Sequence, residues 1–147
     1  MNVFCYGSMM FREVWDAVVG KEYLHIPAVL SGFSRRKVSG QPYPCVIESS
    51  AENMVYGKLY LDVECRDVRL IDTYEGDSYK RIIEQCRTIE GSTINAYVYV
   101  FREEWRHLVE NSPWDPAEFS AGSLQDFISD YEGFRRGNPG KREKTNF

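Results

Sequence analysis

Two rhythms of apolar and polar positions alternate along this chain. Val3, Phe4, Cys5 and Tyr6 form a short unbroken apolar run, the pattern of a buried strand. After the turn Gly7-Ser8-Met9-Met10 the period lengthens. Phe11, Val14, Trp15 and Val18 recur at helical spacing, and Gly20 suits the end of that helix. Residues 28–38 and 45–47 return to strand character, with the Pro- and Gly-containing stretch 39–44 turning between them. A further strand is predicted over 54–61. Residues 64–76 read as a short helix closed by Gly76. Residues 79–101 read as a hairpin turning at Gly91, with β-branched and aromatic residues in both arms.

The last third changes character. Asp115 followed by Pro116 has the order of an N-cap and a first helical residue. Ser123 and Asp126 have the spacing of a capping box ahead of an apolar face made by Leu124, Phe127, Ile128 and Tyr131. From Gly133 the chain is polar and rich in Gly and Pro. The expectation is therefore a single domain over 1–132 and a loose polar tail over 133–147. Strands dominate, helices are few, and no repeat or linker divides the chain, so the predicted class is α+β with a curled or barrel-like sheet.

Composition narrows the function. With 147 residues, 43% hydrophobic and 14% aromatic, the chain can build its own core. A formal charge of −4 argues against a nucleic-acid partner, which needs a basic face. The one basic stretch is in the tail, over 135–144. Cys5, Cys45, Cys65 and Cys86 form no CxxC pair, so zinc-ribbon and thioredoxin chemistry have no support. The first residues carry no export signal, which predicts reduced thiols and a cytoplasmic protein. No apolar run approaches the roughly 20 residues of a membrane span, so no membrane partner is expected.

Candidate chemistry is sparse. His25 and His107 are the only histidines, and neither sits in a motif; both are expected to pack or face solvent. No HExxH, GxSxG, P-loop or GxGxxG is present, and no metal-binding spacing. A buried Cys5 thiol would be inert. Two stretches remain. Tyr6-Gly7-Ser8-Met9 joins a strand to a helix, and a tight turn there leaves backbone N–H groups outward, a natural carboxylate site. The plain alternative is a turn with Ser8 as N-cap. The second stretch is Asp72 to Arg81. Glu75 falls in the last turn of its helix, facing the negative end of the dipole, with Asp72 and Asp77 close in sequence. Those influences and partial burial disfavour the ionised form and tune a carboxylate towards general-base work. The plain alternative is an exposed Glu before a capping Gly. Tyr-Glu-Gly recurs at 131–133, also at a predicted helix end, so the tripeptide alone is no signal.

Together the two stretches resemble the gamma-glutamylcyclotransferase-like superfamily, in particular the branch with plant avirulence-induced proteins and bacterial relatives. The resemblance is carried by "VFCYGSMM" at 3–10, "AVLSGFSRRKVSGQPYPCVI" at 28–47, "VYGKLYLD" at 55–62 and "LIDTYEGDSYKR" at 70–81. "YVYVF" at 97–101 and "WDPAEF" at 114–119 continue it. It implies a small mixed β-barrel with flanking helices and a pocket at its mouth. It implies closure of a γ-glutamyl group to 5-oxoproline with release of an amine or amino acid, and no metal or organic cofactor. Glu75 matches the catalytic acid/base. Tyr6, Gly7, Ser8 and Met9 match the loop that holds the γ-glutamyl moiety, and Tyr79 matches a tyrosine that orients the substrate. Arg81 is expected to be structural. Met9 stands where leucine is common in the family. Tyr43, Trp105 and Trp114 are expected to be packing residues. The reading from another class is a non-catalytic binding module that uses the same pocket for a small molecule.

Overall fold

A strand buried along its whole length needs cover on both faces, and β1 (Val3–Cys5) has it. In the computed structural model, which describes residues 1–137 and side chains as far as Tyr131, β1 closes a five-stranded barrel. It pairs antiparallel with β5 (Met54–Tyr60) and parallel with β7 (Thr93–Phe101). The order around the barrel is β1-β5-β2-β6-β7, where β2 is His25–Ser31 and β6 is Tyr79–Thr88. Alternate residues point to opposite sides of a strand. Phe4 therefore joins Leu30, Leu59, Cys86 and Val98 in one core, while Val3 and Cys5 join the helices in another. That second core holds Val14, Trp15 and Val18 of α1 (Arg12–Val18) and Val68, Ile71 and Tyr74 of α2 (Cys65–Glu75). The α+β class and barrel are as expected, and the hairpin β6–β7 turns where predicted.

The strand expected over 28–38 is two strands. Gly32 has a φ of +84° and breaks the ladder there. β2 stays in the barrel, and β3 (Phe33–Val38) leaves it to form the middle of a separate sheet, β4-β3-β8. β4 is Pro44–Glu48, and β8 is Val109–Pro113, after a 3₁₀ stretch over Glu103–Leu108. β8 has no apolar alternation, so periodicity did not predict it.

At the C-terminal end, Asp115 caps α3 (Pro116–Glu118) as expected, accepting the Ala117 N–H at 2.9 Å. The expected capping box does not form. A π-helical turn over Phe119–Ser123 carries the chain directly into α4 (Leu124–Gly137), which puts Ser123 inside the helix. The wider turn keeps Phe119 and Leu124, five positions apart, both in the core, and Phe119 lies against the rings of Phe11, Trp114 and Phe127. α4 continues through Gly133 to Gly137. An interior Gly costs a helix only about 1 kcal/mol, and the Tyr131 ring packs edge-on against Tyr74 at 5.3 Å. The rest of the expected tail, from 138, lies outside the described residues. Among the described residues no helix is long and apolar enough to cross a membrane.

Two glycines give opposite expectations. A Cβ at Gly57 would sit 2.3 Å from the Cys5 carbonyl and 2.8 Å from the Phe4 ring, where β5 crosses β1. Gly57→Ala should destabilise the fold by about 1–3 kcal/mol in urea titration. Gly122, in the π-helical turn, has nothing within 4 Å of such a Cβ. Gly122→Ala should be neutral or stabilising by up to about 1 kcal/mol in the same titration.

Candidate active site

Leaving β1, the chain turns sharply at Gly7 and enters a single 3₁₀ turn over Ser8–Met10. The Gly7 and Ser8 carbonyls accept from Met10 and Phe11 at 3.0 and 3.1 Å, closing the turn. By that geometry the amides of Ser8 and Met9 have no partner within it. A side chain at position 7 would strike the Pro44 ring at 2.8 Å, so this loop lies hard against β4. Ser8 is not an N-cap. Its hydroxyl shares a buried hydrogen bond of 2.6 Å with Tyr74, one residue before Glu75.

Glu75 is the last residue of α2. Gly76 ends the helix with φ +78° and ψ −168°, a region essentially reserved for glycine. Its N–H still reaches the Asp72 carbonyl at 3.1 Å, which fixes the end of the helix. Glu75 is half-buried and lines a narrow cleft with Tyr6, Gly7, Ser8 and Met9 on one side and Tyr79 on another. The structure thus brings all six predicted site residues to one place. Glu75 is the one ionisable carboxylate among the described lining residues.

The phenols around it are locked by hydrogen bonds. Tyr6 donates to the Tyr99 carbonyl, Tyr79 to the Pro44 carbonyl at 2.7 Å, and Tyr99 to Asp72 at 2.6 Å. Burial pushes the Tyr6, Tyr79 and Tyr99 hydroxyls and the Cys5 thiol upward, and the negative charge of Glu75 adds to each shift. These groups stay protonated around Glu75 at neutral pH. Asp72 does not act as the bare neighbouring charge expected from sequence. Arg81 binds both its oxygens, at 2.9 and 3.1 Å, and stacks over the Tyr97 ring, so Arg81 is structural as expected.

Residues outside the predicted set also build the site. Tyr43, expected only to pack, lines the cleft, as do Pro44 and Tyr99. Trp114 is a packing residue, and its indole N–H holds the Pro42 carbonyl at 2.7 Å. Arg35 donates to the Tyr6 carbonyl at 2.9 Å and lies over the Trp114 ring, bracing the loop from behind. The turn at 39–44 was the available signal for Tyr43. Nothing local marked Arg35, whose role comes from the side sheet folding back on the loop. The second Tyr-Glu-Gly is inside α4, not at a helix end. The cavity at the cleft floor is about 20 Å³, room for about one water molecule.

Other chemistries find little here. His25 and His107 are exposed, beside Tyr60 and Trp105, and neither lines the cleft. All four cysteines are unpaired; Cys5, Cys45 and Cys86 are buried. Among the described residues no cluster of three or more His, Cys, Asp or Glu is placed to hold a metal.

The closed barrel with its flanking helices is the architecture that the chain shares with solved gamma-glutamyl cyclotransferases. Residues 3–116 match the family described as Gamma-glutamyl cyclotransferase, AIG2-like, and the chain belongs to that family. It is 31% identical to Protein AIG2 C of Arabidopsis thaliana over 138 residues, covering 92% of this chain and 79% of that protein. It is 27% identical to AIG2-like protein A of the same plant over 121 residues, 73% of each chain. A solved gamma-glutamyl cyclotransferase superposes with a TM-score of 0.64, over 89% of this chain and 85% of that one, at 16% identity. A yeast gamma-glutamyl cyclotransferase specific to glutathione gives 0.60, over 99% and 92%, at 11% identity. At such identities the shared property is the fold.

The thiols provide a check on this picture. Burial pushes Cys45 and Cys86 up to about 12, whereas an unfolded thiol titrates near pH 8.5. Ellman's reagent at pH 8 should titrate one thiol, the exposed Cys65, in the folded protein and four in denaturant. Reaction of a second thiol in the folded state would contradict the packing. Because the folded state holds these two protons more tightly, their contribution to stability is complete below about pH 8.5. It is lost as pH rises towards 12, and urea midpoints measured at pH 8 and pH 10 should fall accordingly.

Proposed function

We propose that this protein is a gamma-glutamyl cyclotransferase that closes the γ-glutamyl group of a small compound to 5-oxoproline. The observation that carries the reading is Glu75, held at the end of α2 and lining one cleft with the Gly7-Ser8-Met9 loop. Family membership and the shared fold support it.

The reaction needs a proton carrier and a fixed conformer. The substrate's α-ammonium is protonated near neutral pH and cannot attack until it loses a proton. Glu75 takes that proton. The amine nitrogen then bonds to the γ-carbonyl carbon, and the carbon–nitrogen bond to the leaving group breaks. Glu75 returns that proton to the departing nitrogen, and the second proton, which the ring nitrogen sheds on becoming an amide, follows it; the leaving group departs as an ammonium, so atoms and charge balance without added water. The Ser8 and Met9 amides supply donors for a carboxylate or for the developing oxyanion. Tyr6 and Tyr79 hold the folded-back conformer, since ring closure within one molecule profits most from restraint. The Tyr79 hydroxyl is engaged by Pro44, so its part is to form a wall.

The test is a mass-spectrometric screen of γ-glutamyl amino acids, γ-glutamyl amines and glutathione for 5-oxoproline. Wild type should form the lactam, and Glu75→Gln should lower the rate by about 10²–10⁴-fold, the usual contribution of a general acid–base, while remaining folded. No lactam from any compound, with ligand binding retained in Glu75→Gln, would favour the binding-module reading. Glutamate in place of lactam would indicate amide hydrolysis.

A further inference from the structure

Beside the cleft lies a wider hollow of about 290 Å³. The two share Tyr79 and Tyr99 as a common wall, and Gly76 brings the hollow to the residue next to Glu75. Its charge is opposite to that of the cleft. Lys80, Arg81 and Arg102 line it against the single carboxylate of Asp72, three positive charges and one negative, or +2. The chain as a whole is −4.

The cations are not equivalent. Arg81 is committed to Asp72. Arg102 is half-buried at the end of β7, and its Nε donates to the Tyr79 carbonyl at 3.2 Å. That bond anchors the guanidinium at the shared wall while engaging one of its five donors. Among the described residues Arg102 takes part in no ion pair. Lys80 is exposed at the rim and adds positive potential there. A partly desolvated guanidinium held in place, with its terminal groups left over, suits a carboxylate and repels an ammonium group.

We propose that this hollow is a leaving-group subsite that selects a free carboxylate. Substrates that release an amino acid or a peptide would be favoured over those that release a plain amine. The inference rests on the cyclotransferase reading of the neighbouring cleft. On this proposal the leaving group lies beyond Tyr79 and Tyr99, where the charges lining the hollow are those of Lys80, Arg81, Arg102 and Asp72.

The experiment compares γ-glutamyl-alanine with γ-glutamyl-ethylamine, the same skeleton without the carboxylate. In wild type the kcat/KM ratio of acid to amine should be roughly tenfold or more, the order expected of one hydrogen bond to a charged group. In Arg102→Gln the ratio should collapse towards one, and Arg102→Lys should restore part of it. Lys80→Glu, at an exposed position, covers the case in which Arg102→Gln does not fold, and it too should lower the ratio. A wild-type ratio of one or less overturns the proposal. So does an Arg102→Gln variant that loses both substrates equally, which would place the glutamyl group's own carboxylate at Arg102. Calorimetry of both compounds with Glu75→Gln separates this from the cyclotransferase reading. If no compound of the wider screen yields lactam, that reading fails. Tenfold tighter binding of the acid, lost in Glu75→Gln combined with Arg102→Gln, would still uphold the subsite, and equal binding would overturn it.

Discussion

The buried hydrogen bond between Ser8 and Tyr74 joins two segments 66 residues apart, and the candidate site takes its shape from it. One partner lies in the turn that leaves the barrel. The other sits in the last turn of the helix that carries Glu75. Such a bond adds only about 0.5–1.5 kcal/mol net, but losing one partner strands a buried hydroxyl at a cost of about 1–3 kcal/mol. That asymmetry gives it positional authority. With the bond made, the Ser8–Met9 amides and the Glu75 carboxylate cannot drift apart. The packing of α4 reinforces it, since Tyr131 and Phe127 both present rings edge-on to Tyr74.

The other tyrosines extend the same logic. Each spends its hydroxyl on a carbonyl or carboxylate of a different element, so the turn after β1, β4, β6, β7 and α2 are tied across the cleft by side chains as well as by packing. Among the described residues no buried side-chain nitrogen or oxygen lacks a partner. Polar groups in a low-dielectric cleft are costly when unsatisfied and rigid when satisfied. Around Glu75 they are satisfied, and they present neutral walls to one titratable carboxylate. A wall of this kind does not compete for the proton that a general base must carry.

Much of this was legible along the chain, and the exceptions share a cause. β1, α1, α2 and the β6–β7 hairpin have strong local periods, and Gly76 marked the end of α2, so Glu75 could be located from sequence. The split at Gly32 was hidden because Val29, Leu30 and Phe33 continue an apolar pattern through it; only the partner strands show where the chain changes sheet. β8 has almost no apolar signal and is held by pairing with β3. The capping box at Ser123 lost to the burial of Phe119, a tertiary demand that local spacing does not encode. Tyr43 and Arg35 enter the site for the same reason, carried there by a sheet whose position is set by distant contacts. The relief of Asp72 was written in the sequence as Arg81, nine residues on, but a helix and a strand had to fold together before the two met.

The break at Gly32 has a structural consequence. The floor of the cleft belongs to the barrel and its helices, whereas the wall made by Tyr43 and Pro44 rides at the start of β4 in the side sheet. Between β2 and β3 the chain passes from barrel to side sheet through one glycine in the left-handed region, and it crosses again between β4 and β5 and between β7 and β8. The side sheet is nevertheless seated on the barrel, since Phe33 and Val46 share one core with Phe4, Leu30 and Val98. The bond from Tyr79 to Pro44 adds a polar tie across the same seam. The cleft is thus a seam between two sheets, with the charge carried on one side of it and an uncharged wall supplied by the other.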